Sequence, residues 1–190
     1  MGASRHCTTA AGAETVGELE LVDGVLNCNT TLSVGRGNGT SVTAPGGISS
    51  RFTVNGGIAN IYLIGAGYAA GVPTSIFNAR PVIDINAGTV NVTSDTRMGD
   101  SKGSVATLNV RGGTLRCLSH YNYAGLTLGG AQPDSGTGIL NLMGTGVVDI
   151  VHNVLLGSST SGTGTLHLAG GTLIASNIVK GAGSGYARFN

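Results

Sequence analysis

One nine-residue pattern recurs along the chain, and no other feature limits the fold as strongly. Its clearest copies are Thr165-Leu166-His167-Leu168-Ala169-Gly170-Gly171-Thr172-Leu173 and Thr107-Leu108-Asn109-Val110-Arg111-Gly112-Gly113-Thr114-Leu115. Weaker copies run from Val82 to Val90 and from Arg51 to Ala59, and the most diverged run from Glu18 to Leu26 and from Ile139 to Val148. The second glycine of the pattern, or its equivalent, falls at 24, 57, 88, 113, 145 and 171. Such uneven spacing rules out a tight short-period solenoid and suits constant strands joined by variable loops.

Each unit holds three short stretches in which apolar and polar residues alternate. The first is Leu-x-Leu, as in Leu140-Asn141-Leu142, followed by a glycine turn where positive φ costs little. The second is exemplified by Val90-Asn91-Val92. The third ends in glycine, in Leu32-Ser33-Val34-Gly35, Tyr62-Leu63-Ile64-Gly65, Leu126-Thr127-Leu128-Gly129 and Val154-Leu155-Leu156-Gly157. A period of two marks half-buried strands, and no apolar 3.6 period is long enough for a helix. Three strands per unit with one buried face predict an all-β parallel β-helix, a β-solenoid of about six three-strand rungs. Units start near 18, 51, 82, 107, 139 and 165, after an N-terminal segment 1–17 that supplies part of a first rung, and a partial unit falls at 187–190.

Stacking then specifies the interior. The first strands should turn Leu19, Phe52, Ile83, Leu108, Leu140 and Leu166 inward, and two residues later Leu21, Val54, Ile85, Val110, Leu142 and Leu168. The second strands should add Leu26, Ala59, Val90, Leu115, Val148 and Leu173. Cys28 and Cys117 also fall on inward positions, three rungs apart. At ~4.8 Å per rung that is roughly 14 Å, too far for a disulfide. Lys180 occupies a position filled by Val34, Ile64, Met98, Leu128 and Leu156 elsewhere. A buried unpaired ammonium is expensive. The expectation is therefore a local register shift that turns Val179 inward; the alternative is a last rung that is splayed or covered by a neighbour.

The pattern resembles the autotransporter-associated β-strand repeat of large bacterial surface and secreted proteins. Gly164 to Leu173 followed by Asn177-Ile178-Val179-Lys180-Gly181 is similar to that repeat nearly throughout, and the likeness extends from about Glu18 onward. The resemblance implies a right-handed β-helix in an exported protein at the bacterial cell surface or outside the cell. It implies no catalytic residues, because that repeat has none to transfer.

Composition narrows the function. The net charge is +1, charged residues make up 10%, and no Lys/Arg cluster exists to mark a nucleic-acid footprint. No apolar run reaches the ~18 residues of a membrane-spanning helix. Met1 to His6 carry no apolar segment of a secretion signal. His6, His120, His152 and His167 lack metal-ligand spacing, and no cofactor motif is present. Gly35-Arg36-Gly37-Asn38-Gly39 has no following Gly-Lys-Ser/Thr, so it is not a phosphate loop.

The outward residues of the first strands are Glu20, Thr53, Asp84, Asn109, Asn141, His167 and Arg188; those of the second are Asn27, Asn60, Asn91, Arg116, Asp149 and Ile174. Such ladders are what a solvated solenoid face needs, and stacked asparagines add hydrogen bonds along the axis. A polysaccharide lyase or hydrolase would need clustered carboxylates. The nearest approach is Asp84 beside Arg80, Arg111 and Asn109, with Asp95, Asp100 and Lys102 in one loop, and no second carboxylate flanks Asp84 in its ladder. A flat array of outward threonines suited to ice is also missing.

The expectation is a structural module, not an enzyme, with a glycan-binding adhesin as the alternative. Surface glycans would meet Tyr68, on a loop at the third corner, and Tyr121 and Tyr123, on an insertion in the fourth unit. Cys7 to Gly12 resembles a third strand, and Ala187 to Asn190 a first strand. Both ends therefore read as open solenoid faces. Lys180, Arg188 and Phe189 form the expected assembly edge, whose partner is either flanking repeats of a longer array or another copy stacked head to tail in a filament.

Overall fold

The computed structural model describes residues 15–38, 48–70, 78–118, 125–130, 132, 135–182 and 184–189. Every regular element among them is a β-strand. The chain is a parallel β-solenoid that climbs rung by rung. The first rung is β1 (Thr15–Leu21) and β2 (Val25–Val34), extended by β3 (Gly37–Asn38). The second is β4 (Ile48–Val54) and β5 (Ile58–Ala66), extended by β6 (Ala69–Ala70). The third comprises β7 (Val82–Ile85), β8 (Thr89–Val92) and β9 (Thr96–Met98), and the fourth β10 (Val105–Val110), β11 (Thr114–Cys117) and β12 (Leu126–Leu128). In the fifth and sixth rungs the strand runs on past its corners, bending at Gly144 and at Gly170-Gly171, so each rung is one bent strand, β13 (Thr137–Leu156) and β14 (Thr163–Lys180). A seventh begins with β15 (Ser184–Phe189).

All strand pairs are parallel, and like positions stack on like. In the first sheet Leu19, Phe52, Ile83, Leu108, Leu140 and Leu166 form one column, as the alternation predicts, and Ala187 continues its backbone register. In the second, Leu26, Ala59, Val90, Leu115, Val148 and Leu173 do the same. From Phe52 to Leu166 the first-sheet column is fully buried, and the other columns are sealed through the second to fifth rungs. A core of this kind is built from stacked contacts between neighbouring rungs.

The third sheet corrects the sequence reading at two places. Its columns are Leu32, Ile64, Thr96, Leu126, Val154, Ile178 and Val34, Ala66, Met98, Leu128, Leu156, Lys180. Ala66, not Ile64, therefore shares the column of Lys180, and the second unit's third strand ends at Gly67, not Gly65. Gly67 has φ +71°, matching Gly35, Gly99, Gly129 and Gly157 at the same corner, whereas Gly65 lies within the strand. The first glycine met in the sequence is not the one that turns the chain.

The second correction concerns Lys180. No register shift occurs between Asn153–Leu156 and Asn177–Lys180; Lys180 pairs with Leu156, and Val179 pairs with outward Leu155. The charge is accommodated because, among the described residues, no strand lies over Lys180 and its side chain is exposed. A shift does occur at the preceding corner, where Gly144-Thr145-Gly146 stands against Gly170-Gly171, so Gly146, and not residue 145, is the equivalent of Gly171.

Candidate functional site

The outward column of the first sheet runs Glu20, Thr53, Asp84, Asn109, Asn141 and His167, in the order the repeat predicts. Asp84 is its centre. The carboxylate is only 4% exposed although it stands on the outer face. It is covered by arginines from the rungs on either side. Arg51 Nη1 donates to Oδ2 at 3.0 Å and Arg111 Nη1 donates to Oδ1 at 2.7 Å. Asn109 Nδ2 adds a bond to Oδ1 at 2.9 Å. Arg51 belongs to β4 two residues before Thr53, and Arg111 leaves β10 at its turn, so strand geometry alone brings both to the one acid.

Asp84 therefore meets Arg111 and Asn109 as the sequence suggests, but its second cation is Arg51, not Arg80. The signal for Arg51 was present: it stacks in register with Val82, one outward position from Asp84. A carboxylate saturated by two guanidinium groups and an amide, with Thr53 and Asn109 flanking it in its column, has no second acid beside it for acid–base work. Its chemistry is that of a clasp joining the second, third and fourth rungs.

Asparagine ladders extend the clasp. Asn55 donates to Glu20 at 2.6 Å, Asn86 to Asn55 at 2.8 Å, and Asn141 to Asn109 at 2.8 Å. On the second sheet Asn91 donates to Asn60 and Asn60 to Asn27, each at 3.0 Å, and at the next corner Asn177 donates to Asn153 at 3.0 Å. Each of these amides donates toward the preceding rung. The Asn55–Asn86 ladder was missed in the sequence because these residues sit in turns, outside the alternating strands.

The remaining candidates do not converge. Asp95 and Asp100 are not in one loop with Lys102: β9 runs between them, and Asp95 is held by Arg97 at 2.9 Å. Asp100 is buried and Lys102 exposed. Tyr68 is half-buried with the Arg36 guanidinium 5.8 Å from its ring centre, a cation–π contact that occupies the ring face. Tyr121 and Tyr123 lie outside the described residues, as do His6, His120 and Cys7. Among the described residues no group of three or more His, Cys, Asp or Glu side chains is placed to hold a metal ion. No helix of the described residues is long and apolar enough to cross a membrane.

Cys28 and Cys117 are free thiols in one inward column with Ile61 and Val92 between them. Cys117 is fully buried, with Sγ 3.3 Å from Thr96 Oγ1. Burial pushes its thiol up to about 12, so it is neither a nucleophile nor a metal ligand near neutral pH.

Of the expected assembly edge, Lys180 is the last residue of β14 and is exposed. Arg188 and Phe189 lie in β15, in register with His167 and Leu168. The seventh rung thus exists in the first sheet alone among the described residues. The chain matches no protein-family model, no curated protein and no solved structure.

Proposed function

We propose that this chain is a structural β-solenoid module, a stiff spacer in an exported bacterial protein. One observation carries the reading: the inward columns run through consecutive rungs in register, while the acids at the centre of the outer face, Asp84 and Asp95, are engaged by arginines of the scaffold itself. Asp84 is consumed by Arg51 and Arg111, Asp95 by Arg97, and the asparagines by the rungs beneath them. A face organised this way contributes stiffness along the axis. The placement in an exported protein rests on the resemblance of the repeat alone.

The test is a glycan array run beside a polysaccharide-degradation screen on the purified chain. The scaffold reading predicts silence in both. Specific glycan retention, lost on replacing Tyr68 with Ala, would replace it with the adhesin reading, and release of unsaturated sugars would replace it with a lyase.

A further inference from the structure

The second sheet turns its outward columns to one flank of the solenoid. In the fourth rung it presents Thr114, Arg116 and Leu118, and in the fifth Val147, Asp149 and Val151. Thr114 is in register with Val147 and Arg116 with Asp149, and Leu118 and Val151 follow the next pair, Cys117 and Ile150. Leu118 and Val151 are 39% and 40% exposed, and Ile174 on the same flank of the sixth rung is 52% exposed. Arg116 Nε lies 4.0 Å from Asp149 Oδ2, with the two side chains 54% and 36% exposed. So open a pair contributes little to the fold. It is available to a partner on the flank.

We propose that this flank binds a second copy of the chain, face to face and antiparallel, about a two-fold axis that runs along the strands between the fourth and fifth rungs. Stacked sheets keep their strands nearly aligned, which such an axis allows. It sets the fourth rung of each copy against the fifth of the other. Arg116 then faces Asp149 of the second copy, and Asp149 faces Arg116 of the second copy, so four charges alternate around a square. On one side of the square Leu118 meets Val151 of the second copy; on the other, Thr114 meets Val147. One rung further out, Ile174 lies over Asn91 of the second copy.

The two charges select this arrangement among those a sheet face allows. An axis on the fourth rung opposes Arg116 to Arg116, and one on the fifth opposes Asp149 to Asp149. A parallel pair, with like rungs opposed, does both. Opposed like charges disfavour all three. Any other axis along the strands leaves both charges without an opposite charge across the interface. The overlap covers the third to sixth rungs, so the exposed Ile58 and Tyr62 of the second lie beyond it. Four rungs at ~4.8 Å by three outward positions at ~6.6 Å bury roughly 800 Å² over the two copies, the size of a weak, reversible contact. The inference goes beyond the scaffold reading and does not depend on it, since it needs only this flank.

The test is sedimentation of the full chain from about 1 μM to about 1 mM, with two charge reversals. The wild type should show a reversible monomer–dimer equilibrium. Arg116→Asp and Asp149→Arg, each checked for folding by circular dichroism, should each weaken self-association at least about tenfold, because each opposes like charges across the axis. Mixed in equal amounts, the two variants should pair with each other about as strongly as the wild type does with itself, since the two acids of one then face the two arginines of the other. A wild type that stays monomeric throughout would overturn the proposal, as would single variants that associate as the wild type does, or a mixture that fails to pair. Species larger than a dimer that persist in both single variants would place the self-association at another surface and overturn it as well.

Discussion

The fourth rung and the sixth are written in nearly the same residues, yet they behave as different materials. Thr107 to Leu115 and Thr165 to Leu173 are the two best copies of the repeat. In the fourth rung Leu108, Val110, Leu115, Leu126 and Leu128 are all buried. In the sixth, Leu166 is buried, Leu168 and Leu173 are half-buried, and Ile178 and Lys180 are exposed. The difference lies in the number of neighbours. A strand in the middle of the solenoid is covered on two sides, whereas among the described residues the second and third strands of the sixth rung are covered on one, so the same side chain contributes about half as much there. This explains how one column tolerates Leu128 and Lys180 alike.

The sharpest way to break the comparison is to move the lysine inward. Leu128→Lys places in the fourth rung what the sixth carries in the same column, and it should cost more than about 4 kcal/mol, enough to leave the chain unfolded at 25 °C. Lys180→Leu should change monomer stability by less than about 0.5 kcal/mol. Urea denaturation followed by circular dichroism measures both. If Leu128→Lys folded normally, the column would not be a core.

Truncation of a single column position should grade in the same way. Leu140→Ala, at a fully buried site, should lower stability by about 3 kcal/mol. Leu19→Ala removes the same group from the same column in the first rung, where it is 41% exposed, and should cost less than about 1.5 kcal/mol. Equal losses would contradict the nearest-neighbour account.

Turn glycines extend the comparison to the backbone. Gly24 and Gly88 both have positive φ, +80° and +73°. A Cβ on Gly24 meets nothing within 4 Å, whereas one on Gly88 runs into the carbonyl of Gly57 in the rung beneath. Gly24→Ala should therefore cost only the conformational term of about 1 kcal/mol, and Gly88→Ala about 2 kcal/mol or more. Thermal melts of the two variants would show the gap.

The smallest effect is set by pH. The Cys117 thiol is raised from 9.0 to about 12 by burial, so its proton is held more tightly in the folded chain. Its stabilising contribution is complete below pH 9.0 and declines as pH rises from there toward 12. Between pH 9 and 10 the wild type should lose up to about 1 kcal/mol that Cys117→Ala does not lose, seen as a difference in the pH slope of the urea midpoint. Identical slopes would mean that water reaches the thiol.

Much of this was legible in the sequence because a solenoid repeats its physics. Alternation identified the first- and second-sheet columns and both outward ladders, residue for residue. The third sheet was harder to read. It is short, Thr96 interrupts its apolar pattern, and Gly65 precedes the turn at Gly67 and imitates it. The clasp at Asp84 was half legible: Arg111 and Asn109 follow from the ladders, whereas Arg51 becomes a partner only when long side chains are allowed to reach across one rung and two residues. Lys180 was misread because a buried position was assumed for it, while its exposure follows from the rung's place in the stack.

The central claim is that rungs stack parallel and in register. Cross-linking tests it directly. Asn141 and His167 are register partners on the outer face of the first sheet. In a background with Cys7 and Cys28 replaced by alanine, Asn141→Cys with His167→Cys places two Cα atoms about 4.8 Å apart, within disulfide reach. Asn141→Cys with Thr165→Cys places them about 8 Å apart, beyond it. Mild oxidation followed by mass spectrometry should find the intramolecular disulfide in the first pair and free thiols in the second. A disulfide in the second pair with none in the first would contradict the register on which the solenoid rests.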